Sequence, residues 1–145
     1  MIWRCEMKRM RKDRGKSKEK GQSITEFAIM LPFLLLILAG VLDLGRLYYV
    51  VVTLTDAAAE GATYAAIHPD DTSGIVSRAQ AASTGLVEIE ADQVTVEYST
   101  IAAGAPITVG VDYDFVVATP LINAIVPEGK LPLHVIATEA ILRKE

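Results

Sequence analysis

Residues 27–42 read FAIMLPFLLLILAGVL, sixteen positions without a charge. No other stretch constrains the chain so strongly. A chain of 145 residues has room for one small domain and an appendage. A core of that size does not need such a run, and its composition suits a bilayer better. The flanks give it a direction. Residues 1–20 hold nine Lys/Arg and three Asp/Glu, a balance of +6, and the remainder holds five Lys/Arg and fifteen Asp/Glu, a balance of −10. Basic residues beside an apolar segment stay on the cytoplasmic side. The expected topology is a single pass through the cytoplasmic membrane, N-terminus in and acidic body out. The same adjacency argues against nucleic acid as the partner of the basic head. Cys5 is the one cysteine, so no intrachain disulfide forms.

The pattern divides the chain into residues 1–21, a basic cytoplasmic leader without period; 22–66, a long helix whose first half spans the membrane; and 67–145, a small outer α+β domain. The helix is expected to start at Ser23, a good N-cap with Glu26 three residues on as in a capping box. It is expected to stop at Pro69. That is roughly 60 Å of helix at 1.5 Å per residue, and a bilayer core takes about 20 residues of it. In the second half, Val51, Leu54, Ala58, Gly61 and Ala65 recur at helical spacing and form one apolar face. Tyr48 and Tyr49 suit the outer membrane interface. Asp43 and Arg46, three apart, are placed to pair on one side of the helix.

Beyond Pro69 a short helix is expected over 72–83. Alternation then marks strands at 93–99 (QVTVEYS), 106–119 (PITVGVDYDFVVAT) and 131–142 (LPLHVIATEAIL). In the second of these, Val109, Val111, Tyr113 and Phe115 share one side. The segment PLINAIVPEGK between the last two strands reads as a helical turn and a loop. The expected fold is α+β: a long N-terminal transmembrane and amphipathic helix, followed by a small antiparallel three-stranded meander packed on it.

Glu26 stands at the mouth of the apolar run, where a carboxylate is costly. As the third residue of a helix it would be stabilised by the macrodipole. A conventional signal peptide cut near Ala39-Gly40, or a plain uncleaved anchor, would account for the apolar run. Neither explains why a glycine, Gly21, closes the basic stretch five residues ahead of the glutamate.

The stretch Gly21–Phe27 (GQSITEF), followed by an apolar helix, resembles the leader junction of type IV prepilins. The continuation GQSITEFAIMLPFLLLILAGVLDLGRLYYVVVTLTDAAAEGATYAA resembles the TadE-like family of Flp/Tad pilus assembly proteins. The matching positions are Glu26-Phe27, Leu31-Pro32, Asp43 with Arg46, and the closing run Ala59, Glu60, Gly61, Ala62, Tyr64, Ala65 and Ala66. The resemblance implies cleavage by a prepilin peptidase between Gly21 and Gln22. It implies assembly through Glu26, Phe27 and Pro32, with helix packing carried by Asp43, Arg46, Ala58, Gly61, Ala62 and Ala65. The implied partners are other pilin subunits, the peptidase, the inner-membrane Tad platform and membrane lipids, and the implied destination is an extracellular pilus serving adhesion or secretion. The length favours a minor or priming subunit. The alternative is an uncleaved single-pass anchor presenting a small interaction domain. Pro32 frees the carbonyl of residue 28, which gives either a bend useful for leaving the membrane or a tolerated transmembrane proline.

The catalytic inventory is short. His68 and His134 are far apart and have no cysteine near them. Asp70-Asp71 and Glu88/Glu90 lack the spacing of a calcium loop, and no phosphate loop or nucleophile elbow occurs. The expectation is a protein that is not an enzyme and needs no cofactor or metal.

Overall fold

The computed structural model describes residues 16–83, 85, 87–119 and 129–142, the first five by backbone alone. The chain divides into two compact units, Met1–Gly40 and Val41–Glu145. Helix α1, Lys16–Ile67, has 52 residues and supplies the described part of the first unit and the beginning of the second. It begins seven residues before the expected cap. Lysine and glutamate are good helix formers, so KSKEK continues the helix backwards, and Ser23 is interior rather than a cap. Gln22 and Glu26, one turn apart, are paired by their side chains instead. The leader expected at 1–21 without periodic structure falls on residues outside those described, except at 16–21, which are helical. Helical geometry persists through Pro32. The threonines of α1 are satisfied internally: Thr25, Thr53, Thr55 and Thr63 each donate to the carbonyl four residues back at 2.7–3.0 Å.

In the second unit, α1 is followed by α2, Thr72–Ala82, a 3-10 turn at Ala91–Gln93, and strands β1, Val94–Tyr98, β2, Pro106–Val116, and β3, Lys130–Ala140. The sheet order is β1-β2-β3 and both pairings are antiparallel. Val94 lies opposite Val111, Val111 opposite Val135, and Pro132 opposite Asp114. The fold is α+β, with the meander packed on the long helix, as the alternation implied. The expected turn and loop at PLINAIVPEGK lies mostly outside the described residues.

The core sits between one face of α1, the inner face of the sheet and α2. Leu54, Ile75, Ile107, Val109, Val111 and Ile141 are fully enclosed. The helical face differs from the expected one by one position. Val50 is buried and Val51 is on the surface, because the buried stripe follows Val50, Leu54, Ala57, Gly61 and Ala65. On β2 the inner row is Ile107, Val109, Val111 and Phe115, with Tyr113 half-buried at the open side. Asp112 and Asp114 face outward. They pair with His134 at 2.7 Å and Lys130 at 3.8 Å, both exposed pairs of small energetic worth.

Small residues let α1 lie close. A Cβ on Gly61 would stand 3.2 Å from Val109 Cγ1 and 3.4 Å from the Ala79 methyl. The helix therefore touches both strand β2 and helix α2 at this level. Asp71 starts α2. Its Oδ1 accepts from the Gly74 N–H at 2.9 Å and from the Ser73 hydroxyl at 2.8 Å, and its Oδ2 accepts from the Tyr64 hydroxyl at 3.0 Å. The Gly74 amide first, then the two hydroxyls, hold the Asp71 carboxyl below its ordinary range. Asp71 is thus a cap and not the free loop charge that its place in HPDD suggests.

Candidate assembly site

Residues 21–38 form an uninterrupted helical surface, and every one of them is exposed. The apolar side chains point all round. Phe27 is 59% exposed, Ile29 63%, Phe33 62% and Ile37 62%. A helix apolar on all sides is stable only inside lipid or among other helices. The helix that carries it, Gly21–Ile67, is long and apolar enough to cross a membrane. At its start, Gln22 Nε2 donates to Glu26 Oε1 at 3.1 Å, and the Thr25 hydroxyl donates to the Gly21 carbonyl at 2.9 Å. The polar groups at this end are therefore tied to one another, one turn apart. Gly21 has open space where a Cβ would be, so packing within the chain does not require glycine there. Pro32 lies on the same exposed helix.

Asp43 opens the second unit and is only 7% exposed. The expected partner, Arg46, is at a long 3.5 Å from Oδ1. The principal partner is Thr119, 76 positions away. Its backbone N–H donates to Asp43 Oδ2 at 2.7 Å, and its hydroxyl donates to the same oxygen. Arg46 in turn lies over the Phe115 ring, 5.6 Å from guanidinium carbon to centroid. Together these contacts clasp the helix to the end of β2. Sequence reasoning missed Thr119. The only hint was that an aspartate within an apolar helix needs donors, and nothing local names them.

Ala58, Gly61, Ala62 and Ala65 are all buried in the second unit, among Leu54, Ile75, Ala79 and Val109. Their small size is used inside the chain, where α1 meets the sheet and α2. At the end of α1, Tyr64 stacks on His68 with centroids 4.7 Å apart, and Arg78 lies over the Tyr64 ring at 5.4 Å. Arg78 also approaches Glu60 at 3.9 Å. An open groove beside them is lined by Asp56, Ala59, Thr63 and Ala82, and the arginine bordering it is already engaged. Among the described residues, no three His, Cys, Asp or Glu side chains gather as metal ligands.

The residues brought together in sequence thus fall into two sets. Gly21, Gln22, Glu26, Phe27 and Pro32 share an exposed helix in the first unit. Asp43, Arg46 and the small residues are internal to the second. No curated protein and no solved structure matches the chain. Over residues 21–63, spanning the exposed set and most of the small-residue face, the chain matches the family model of TadE-like protein, the family its sequence resembles.

Proposed function

We propose that the chain is a pilin-like subunit of a Tad-type pilus, a minor or priming pilin serving adhesion or secretion. The observation that carries this reading is the all-round exposed apolar helix of residues 21–38, lying inside the segment that matches the TadE-like model. Such a surface needs partners, first lipid and then the equivalent helices of other subunits. In this reading the protein is held in the cytoplasmic membrane with its basic head inside. A prepilin peptidase cuts between Gly21 and Gln22, and the inner-membrane platform feeds the subunit into the filament.

Cleavage creates a cationic amine on Gln22. Glu26 neutralises the amine of a neighbouring subunit, which sets the axial step between helices. A charge pair in an apolar bundle is better suited to fixing register than to adding stability. Phe27 and Pro32 lie on the surface that the neighbours cover. Asp43, Arg46, Ala58, Gly61, Ala62 and Ala65 hold the outer domain on its helix, so that one rigid piece is presented outside.

The test is the intact mass and N-terminal sequence of the protein from native membranes, beside a Gly21→Ala variant. A wild-type chain starting at Gln22 and a variant that keeps its leader are the expected results. A wild-type chain starting at Met1 overturns the reading in favour of an uncleaved anchor with a small extracytoplasmic domain. A start near Val41 leaves a secreted domain.

A further inference from the structure

The proposed cut has a chemical consequence for the residue it exposes. Glutamine at a chain start carries an amine and a side-chain amide within reach of each other. The α-amine nitrogen attacks its own Cδ, the new N–Cδ bond closes a five-membered lactam, and the Cδ–Nε2 bond breaks. Nε2 leaves as ammonia, taking up the proton that the amine gives away. No oxidant or second reactant is needed. The product has no basic nitrogen, so a subunit that closes this ring loses the cation that the proposed register contact requires, and Glu26 of a neighbour is left without its partner.

Ring closure requires the Gln22 side chain to fold back over its own nitrogen. In the structure, where Gln22 still follows Gly21 in the helix, the side-chain amide is engaged elsewhere. Nε2 reaches along the helix and donates to Glu26 Oε1 at 3.1 Å, one turn toward the C-terminus. The hydrogen bond engages the nitrogen that would have to leave and draws the side chain toward the next turn of the helix. We infer that Glu26 guards the new amine of Gln22 against lactam closure, a second role for this carboxylate within its own chain. The inference rests on the proposed cleavage after Gly21.

The experiment follows the N-terminal peptide of the mature full-length chain by mass, in detergent micelles over days at neutral pH. It compares wild type with Glu26→Ala and Glu26→Gln; the glutamine variant keeps an acceptor oxygen. The expected result is a free amine that persists in wild type and in Glu26→Gln. In Glu26→Ala, loss of one ammonia is expected to be about twofold to tenfold faster, the range that one ordinary hydrogen bond supports. Wild type unfolded in denaturant should close at least as fast as the alanine variant, a comparison that does not depend on the variants being processed. Equal rates in all four samples overturn the guarding role while leaving cleavage intact. A mature wild-type chain isolated already closed also overturns it. A wild-type chain that starts at Met1 overturns cleavage and the guarding role together.

Discussion

Two stretches of one helix, residues 21–38 and residues 50–66, face opposite problems. The first has large apolar side chains and covers none of them; the second has small ones and covers most of them. Leu54 is fully enclosed while Leu36, on the same helix, is 42% exposed. The difference is in what the chain supplies. Strands β1–β3 and α2 are made for the second stretch, and alanine and glycine let them come close. Nothing among the described residues is made for the first. Side-chain size therefore separates the part of the helix that its own chain covers from the part that none of the described residues covers.

The strongest way to break this comparison is to damage the self-completed half. Leu54→Ala should destabilise the second unit by about 2–5 kcal/mol, the cost of a core cavity. Urea unfolding of the full chain in micelles, followed by near-ultraviolet circular dichroism of the tyrosines, measures it. A loss under 1 kcal/mol would mean that the core is not where α1 meets the sheet. The matching insult to the other half is Leu35→Arg. It should hardly move that transition, but should cost about 2.5–3.5 kcal/mol of membrane insertion, read as protein shifted from the membrane to the soluble fraction.

Asp43→Ala sharpens the boundary between the two. It leaves the Thr119 amide and hydroxyl buried without an acceptor, which costs about 1–3 kcal/mol for each buried group left unpaired. Arg46→Ala should cost less than this, because its ion pair is long and half its side chain is exposed. If the two variants are equal, the clasp is made by the ion pair and not by Thr119.

A smaller effect is expected from pH. The Asp71 carboxyl titrates below its ordinary range because the Gly74 amide and two hydroxyls bind its charged form. A depressed carboxylate contributes stability that is present above its unfolded value and lost as pH falls through the folded one. The start of α2 should therefore loosen on acidification below about pH 4, and Asp71→Asn should flatten that part of the profile. Amide exchange at Ile75–Ala79 reads it. The smallest effect is expected from Leu36→Ala, which should leave the second unit within about 0.5 kcal/mol of wild type.

Much of this was legible because side-chain period reports burial. The alternation in PITVGVDYDFVV placed β2 and its inner row, and the apolar run located the uncovered helix. What stayed hidden has specific causes. The helix start at Lys16 was missed because a charged run was read as a leader, although lysine and glutamate favour helix. Helical spacing does not separate Val50 from Val51, because VVV offers three candidates for one stripe. The Asp43–Thr119 contact joins positions that only the folded sheet brings together. Asp71 looked like half of an acidic pair until Tyr64 and Gly74 were seen to use it. The exposure of the set from Gly21 to Pro32 is readable from the sequence for the opposite reason, since an unbroken apolar run leaves no polar face and none of the described residues covers it.

Strand β3 carries a last consequence. It is an edge of the sheet, and Pro132 sits within it opposite Asp114. Proline is tolerated in a ladder where its nitrogen faces away from the neighbouring strand. Pro132 brings no N–H donor to this edge strand, two residues from Lys130. A protein crowded among many copies of itself would otherwise offer each copy a free strand to zip against. The proline and the lysine blunt that edge, so that this side of the sheet is a poor place for another strand to add.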